Sequence, residues 1–167
     1  MAKALKIRIA SRDEIYAVAK FLHEVWQTEY QNIVADDYLD TMSVNERHTG
    51  LLDKYDEGVW EFFAMQDDDR IVGASVFGKS FVEGFPDDGE IAAIYLHSDY
   101  IGKGYGHRLF AEIERALTQK GYTRFILDVL SNNKRALGFY LAHGYSIVAE
   151  RQVRLGESDY PLTILRK

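Results

Sequence analysis

The stretch "DYIGKGYGHRL", Asp99–Leu109, places Gly102, Gly104 and Gly106 at alternate positions with Lys103 among them. Ahead of it, "EIAAIYLHS" (Glu90–Ser98) is apolar without clean alternation, the pattern of a strand in the middle of a sheet. Behind it, Leu109, Phe110, Ile113, Ala116 and Leu117 recur at helical spacing until Gly121 stops the run. The order is strand, glycine turn, helix. A helix N-terminus offers unpaired N–H groups and a partial positive charge, and glycines before it let a ligand reach the backbone. The arrangement is therefore an anion cradle, with phosphate the fitting group. The competing reading is a glycine-rich turn that binds nothing, since short glycine motifs are weak signals alone. Neither common nucleotide loop fits. The pattern G-x-x-x-x-G-K-[ST] does not occur, and Gly106 comes one residue too early for G-x-G-x-x-G.

Outward from this turn the chain reads as alternating elements. "LKIRIA" (Leu5–Ala10) has strand alternation. Ser11 with Glu14 is a capping-box pattern, opening a helix whose Ile15, Val18, Ala19, Leu22, Val25 and Trp26 share a face. Ser43 with Glu46 starts a second helix, through about Tyr55. "VWEFFAMQ" (Val59–Gln66) and "RIVGASVFGKS" (Arg70–Ser80) flank "DDD" as a hairpin. "RFILDVL" (Arg124–Leu130) is a strand, and Asn132 or Asn133 caps the short helix "KRALGFYLAH", closed by Gly144. "YSIVAERQVRL" and "YPLTILRK" are two last strands around the turn "GESD". The expected order is β-α-α-β-β-β-α-β-α-β-β. It specifies an α/β fold with a mixed, mostly antiparallel central sheet, flanking helices and one β-α-β crossover.

Composition narrows the function. The 167 residues fit a single domain over 1–167, with 47% hydrophobic and 28% charged residues and a net charge of -6. That charge argues against a broad nucleic-acid surface. The absence of cysteine excludes disulfides, zinc–thiolate sites and a cysteine nucleophile. Neither a signal peptide nor a membrane-length apolar run is present, so the expectation is a cytoplasmic protein with no membrane partner. The five histidines lack metal spacing such as HExxH, "DDD" lacks calcium-loop spacing, and no metal is expected. His107 sits in the first turn after the glycines, within reach of a phosphate or free in solvent.

"YIGKGYGHRLF" resembles the acyl-CoA-binding segment of the GNAT family of N-acetyltransferases, written Q/R-x-x-G-x-G/A. Gly104 and Gly106 match, and Ile101 departs from the Q/R slot. "VLSNNKRALGFYLAHGY" is similar to the family's next motif through Asn133, Ala136, Phe139, Tyr140, Gly144 and Tyr145. The resemblance covers Glu90 to Tyr145 most clearly and implies a GNAT-like acyl-CoA-binding fold. It implies direct transfer of acetyl from acetyl-CoA, as cosubstrate, to a primary amine of a small molecule or peptide. Backbone amides from Ile101 through Gly102, Lys103, Gly104, Tyr105 and Gly106 would then hold the pyrophosphate. The backbone of Ile94, Tyr95 and Leu96, with Asn133, would hold the pantetheine arm.

Under the same resemblance Tyr140 is the general acid to the departing thiolate and Glu90 the base for the amine, while Trp26 and Tyr30 belong to the acceptor site. Each has a plainer reading: Tyr140 as a packing residue, Glu90 as a solvated turn glutamate after "PDDG", Asn133 as a helix cap. Asp36, Asp37 and Asp40 are more readily surface charge than a seat for a cationic amine. A non-catalytic acyl-CoA sensor or interaction module on this fold is the alternative function, and a homodimer is compatible with either.

Overall fold

The computed structural model describes residues 4–167. It begins with β1 (Lys6–Ile9), after which Ser11 and Glu14 form the expected capping box. The Ser11 N–H donates to the Glu14 carboxylate at 2.7 Å. The box opens one 3-10 turn, and the regular helix α1 runs Ile15–Glu29. Next come α2 (Asp36–Thr41) and α3 (Val44–Asp56), the latter capped by the Ser43 hydroxyl accepting from the Glu46 N–H at 3.3 Å. The hairpin β2 (Trp60–Asp67) and β3 (Arg70–Lys79) follows, then β4 (Gly89–Leu96), α4 (Tyr105–Gln119), β5 (Phe125–Leu130), α5 (Lys134–Ala142), β6 (Ser146–Leu155) and β7 (Ser158–Arg166).

The seven strands form one sheet in the order β1-β2-β3-β4-β5-β7-β6. Every neighbouring pair is antiparallel except β4–β5, which the α4 crossover makes parallel. β4 is the middle strand, as its unbroken apolar run predicts. On one face Ile15, Val18, Ala19 and Leu22 of α1 pack with Phe62, Ala74 and Val76. On the other, Leu109, Phe110, Ile113 and Leu117 of α4 are wholly buried against Phe77, Ile91 and Leu127. Each such side chain contributes roughly 1.5–3 kcal/mol of transfer free energy.

Two details depart from the sequence reading. The segment "NIVADDYLDTMSVNERH" contains the extra helix α2, which has no side-chain cap at Ala35 and three aspartates in six residues, so no local signal announces it. The final turn is only Gly156-Glu157, because Ser158 already pairs with Leu155. Gly156, at φ +64, supplies the left-handed residue such a tight turn needs.

β4 stays paired with β3, and β5 with β7, but β4 and β5 share only Gly89↔Phe125 and Glu90↔Ile126. An extra residue in β4, Ala92, forms a bulge opposite Val76/Phe77 where the shared ladder ends. Beyond it the two strands part.

Candidate active site

The parted strands enclose a cavity of about 560 Å³, walled by β4 and β5, the end of α1, the glycine turn and α5. Of the residues that the resemblance assigns to catalysis, cofactor or acceptor, all but Glu90, Lys103 and Tyr105 line it. Tyr105 turns its ring into the core and is 5% exposed; Lys103 points to solvent.

At one end lies the glycine turn. Gly102 and Gly104 adopt φ of +77 and +86, and Gly104 is the residue before the first turn of α4. A Cβ added at either would meet no protein atom within 4 Å. The left-handed backbone and the open space above it both suit a ligand lying directly on the amides. Gly106 differs: it is helical, and its Cβ would touch the Phe139 ring at 3.5 Å. Ile101 also lines the cavity and offers no polar side chain there.

In the middle, Asn133 caps α5 through its Oδ1, which accepts the Ala136 N–H at 3.3 Å. Its Nδ2 donates to the Tyr30 hydroxyl at 3.4 Å, and the Tyr30 and Tyr95 hydroxyls are 3.0 Å apart. Asn133 is thus both a cap and a cavity residue. Trp26 stacks on Tyr30 at 3.9 Å and 7°, so the two form one aromatic wall. Arg47 of α3 backs this wall, its guanidinium 5.9 Å from the Trp26 ring.

Tyr140 projects from α5 with its ring buried, while among the described residues its hydroxyl has no hydrogen-bond partner. Burial raises its pKa, with Tyr30 and Asp128 adding to the effect, so the phenol keeps its proton.

Glu90 is not a solvated turn residue. It is 8% exposed, on the sheet face covered by α1, just where β4 and β5 begin to part. The Phe81 N–H donates to its carboxylate at 2.7 Å. Burial nevertheless pushes its pKa up to about 7, opposed by that hydrogen bond and assisted by Asp128. Asp128 is the residue the sequence reading passed over. It lines the cavity and has no hydrogen-bond partner among the described residues. Asp128 is exposed along the cavity, yet the surrounding protein desolvates it enough to raise its pKa, against the attraction of Arg151. The negative charge of Asp128 in turn opposes ionisation of Glu90. The signal was present: Asp128 is the sole charge within the apolar run "FILDVL".

Asp36 and Asp40 face a separate polar depression with Gln27 and Gln31, away from this cavity. Among the described residues no group of three or more His, Cys, Asp or Glu could hold a metal ion, and no helix is long and apolar enough to cross a membrane.

Residues 19–145 match the model of the acetyltransferase (GNAT) family. The chain is 31% identical over 146 residues to the uncharacterized N-acetyltransferase YuaI of Bacillus subtilis (strain 168), covering 86% of this chain and 82% of the relative. Its fold is that of PaiA N-acetyltransferase from Thermoplasma acidophilum in complex with coenzyme A (TM-score 0.76, 19% identity, 99% of each chain). The same fold occurs in YncA, a putative acetyltransferase from Salmonella typhimurium with acetyl-CoA (TM-score 0.74, 17% identity, 99% of this chain and 94% of the other).

Proposed function

The chain belongs to the acetyltransferase (GNAT) family, and from that premise we propose that it moves the acetyl group of acetyl-CoA directly onto a primary amine. The observation that carries this reading is the Tyr140 hydroxyl: a buried, protonated phenol without a protein partner, opening on the cavity where β4 and β5 part. A merely structural tyrosine at such depth would spend its hydroxyl on a neighbour.

Acetyl-CoA supplies an activated thioester, whose carbonyl carbon the amine nitrogen attacks. The protein's share is position and protons. The left-handed Gly102 and Gly104 expose backbone amides to the diphosphate. β4 beyond its bulge, freed from β5, presents backbone groups to the pantetheine arm and one N–H able to polarise the thioester oxygen. Asn133 contacts the arm from α5. Tyr140 gives its proton to the sulfur as the C–S bond breaks. On the opposite side of the sheet the amine arrives as an ammonium and must lose a proton before it can attack. Asp128 attracts that cation and Glu90, poised near neutrality at about 7 and set back from the cavity lining, takes the proton through water. Trp26 and Tyr30 form the wall along which the acceptor enters.

The test is thiol release from acetyl-CoA across polyamines, amino acids, aminoglycosides and peptide N-termini. Turnover with one class identifies the acceptor. Tight acetyl-CoA binding without thiol release from any amine would support the non-catalytic sensor instead.

A further inference from the structure

Beside the glycine turn two imidazoles touch. His107, in the first turn of α4, lines the cavity next to Gly104 and Gly106. Its Nδ1 lies 2.8 Å from Nε2 of His143, and Nδ1 of His143 lies 2.7 Å from the carbonyl oxygen of Phe139. The Phe139 ring packs on both, with centroids at 4.1 Å from His143 and 5.5 Å from His107. His143 is half-buried; His107 is exposed and lines the cavity, and among the described residues its side-chain hydrogen bond is the one through Nδ1, leaving Nε2 without a partner.

The hydrogen bonds fix the protons. A carbonyl only accepts, so Nδ1 of His143 carries a proton. In a neutral pair Nε2 of His143 then accepts, and Nδ1 of His107 donates. Both N–H groups of the pair are thereby used, and Nε2 of His107 is left as a bare lone pair facing the cavity. That nitrogen becomes a donor, with the 2.8 Å contact intact, only when the pair holds a third proton and hence one positive charge. This holds whichever ring the charge is drawn on.

We propose that His107 is a phosphate ligand of the cofactor site, tied by His143 into a pair that takes up one proton when the anion binds. The inference rests on the acetyl-CoA reading above and adds to it a side-chain contact and a proton count. The surroundings permit it. On α5, Arg135 lines the same cavity and is engaged with Glu29 at 3.0 Å; Lys103 of the glycine turn is exposed to solvent; and Lys167, beside Gly144, is held by Glu114 at 3.1 Å. On α4 itself Arg108 donates to the Leu5 carbonyl. Among the described residues no carboxylate contacts either ring, so a bound phosphate is the anion that would stabilise the charge. Imidazole is the side chain whose charge ordinarily changes near neutrality.

The experiment is calorimetric titration of the full chain with coenzyme A in buffers of different ionisation enthalpy, from pH 6 to 8. The wild type should take up a proton on binding, and its affinity should fall by about tenfold across that range. The cofactor's own phosphates titrate as well, so the reading is the difference from variants. His107→Gln should abolish the histidine-linked uptake and weaken binding at pH 6 more than at pH 8. His143→Gln should retain binding but lose the uptake, because His107 is then free to present a neutral Nε2–H. Dephospho-coenzyme A separates the two phosphate sources: uptake that persists assigns the contact to the diphosphate, and uptake that vanishes assigns it to the 3′-phosphate. Equal proton uptake in the wild type and both variants would overturn the proposal. Absence of coenzyme A binding at every pH would instead overturn the cofactor reading beneath it.

Discussion

Replacing Glu90 by Gln tests the base through two independent readouts. Gln keeps the shape and can still accept the Phe81 N–H, so the fold should persist. What disappears is a buried proton. Burial lifts the Glu90 pKa from 4.5 to about 7, so the folded state holds this proton more tightly than the unfolded chain does. Stability from this source is complete below the unfolded value and is lost as pH rises through the folded one. With those two values, linkage predicts that the wild type loses about 2 kcal/mol between pH 5 and pH 7 relative to Glu90→Gln. Urea denaturation of both proteins at a series of pH values measures it directly. The second readout is kinetic. In the wild type kcat/KM should rise with pH through about 7 as the carboxylate forms, and in the variant that limb should vanish with a loss of roughly a hundredfold. Parallel stability curves would refute the buried proton, and an unchanged rate limb would remove Glu90 from the base role.

Asp128→Asn should raise the KM for the amine about tenfold, the scale of one charge-assisted hydrogen bond, with coenzyme A affinity unchanged. It should also shift the rising kcat/KM limb to lower pH, because Asp128 opposes ionisation of Glu90; an unmoved limb would separate the two carboxylates. Tyr140→Phe should lower kcat by about a hundredfold while leaving the coenzyme A dissociation constant within about twofold, checked by binding and turnover on one preparation. Gly104→Val should abolish coenzyme A binding and cost about 1–2 kcal/mol of stability, since a β-branched residue is strained at φ +86 and its side chain would enter the open space of the cradle. Wild-type binding by that variant would contradict the cradle.

The fold was legible where local chemistry speaks. Ser11 with Glu14, Ser43 with Glu46, and Asn133 each start a helix in the structure, because a cap is a short-range bond between residues visible together. α2 was not legible. Six residues without a capping side chain carry no periodicity, and long-range contacts hold it: Leu39 packs with Tyr30 and Val34, the Gln27 side chain donates to the Leu39 carbonyl, and the Ala35 N–H donates to the Tyr160 hydroxyl. The site divides in the same way. The glycine turn and the α5 residues lie in two short segments, so their chemistry shows in the string. Asp128 acquires its meaning only because β5 leaves β4 after Ile126, and its neighbours Glu90 and Tyr140 come from other elements. The His107–His143 pair is likewise invisible, its members being 36 positions apart on helices whose contact the sequence does not state.

The two shared pairs between β4 and β5 have a consequence for how the molecule holds together. They divide the sheet into halves that are each continuous in the chain, β1–β4 and β5–β7, with α4 as the crossover between them. On the proposed binding mode, a ligand lying between the halves would act as a temporary eighth strand, bridging them where their own ladder ends. Amide hydrogen exchange should register this as two separately opening blocks that merge into one on addition of coenzyme A. In that mode the cosubstrate would also be a fastener, and each release of it would loosen the sheet along its central seam.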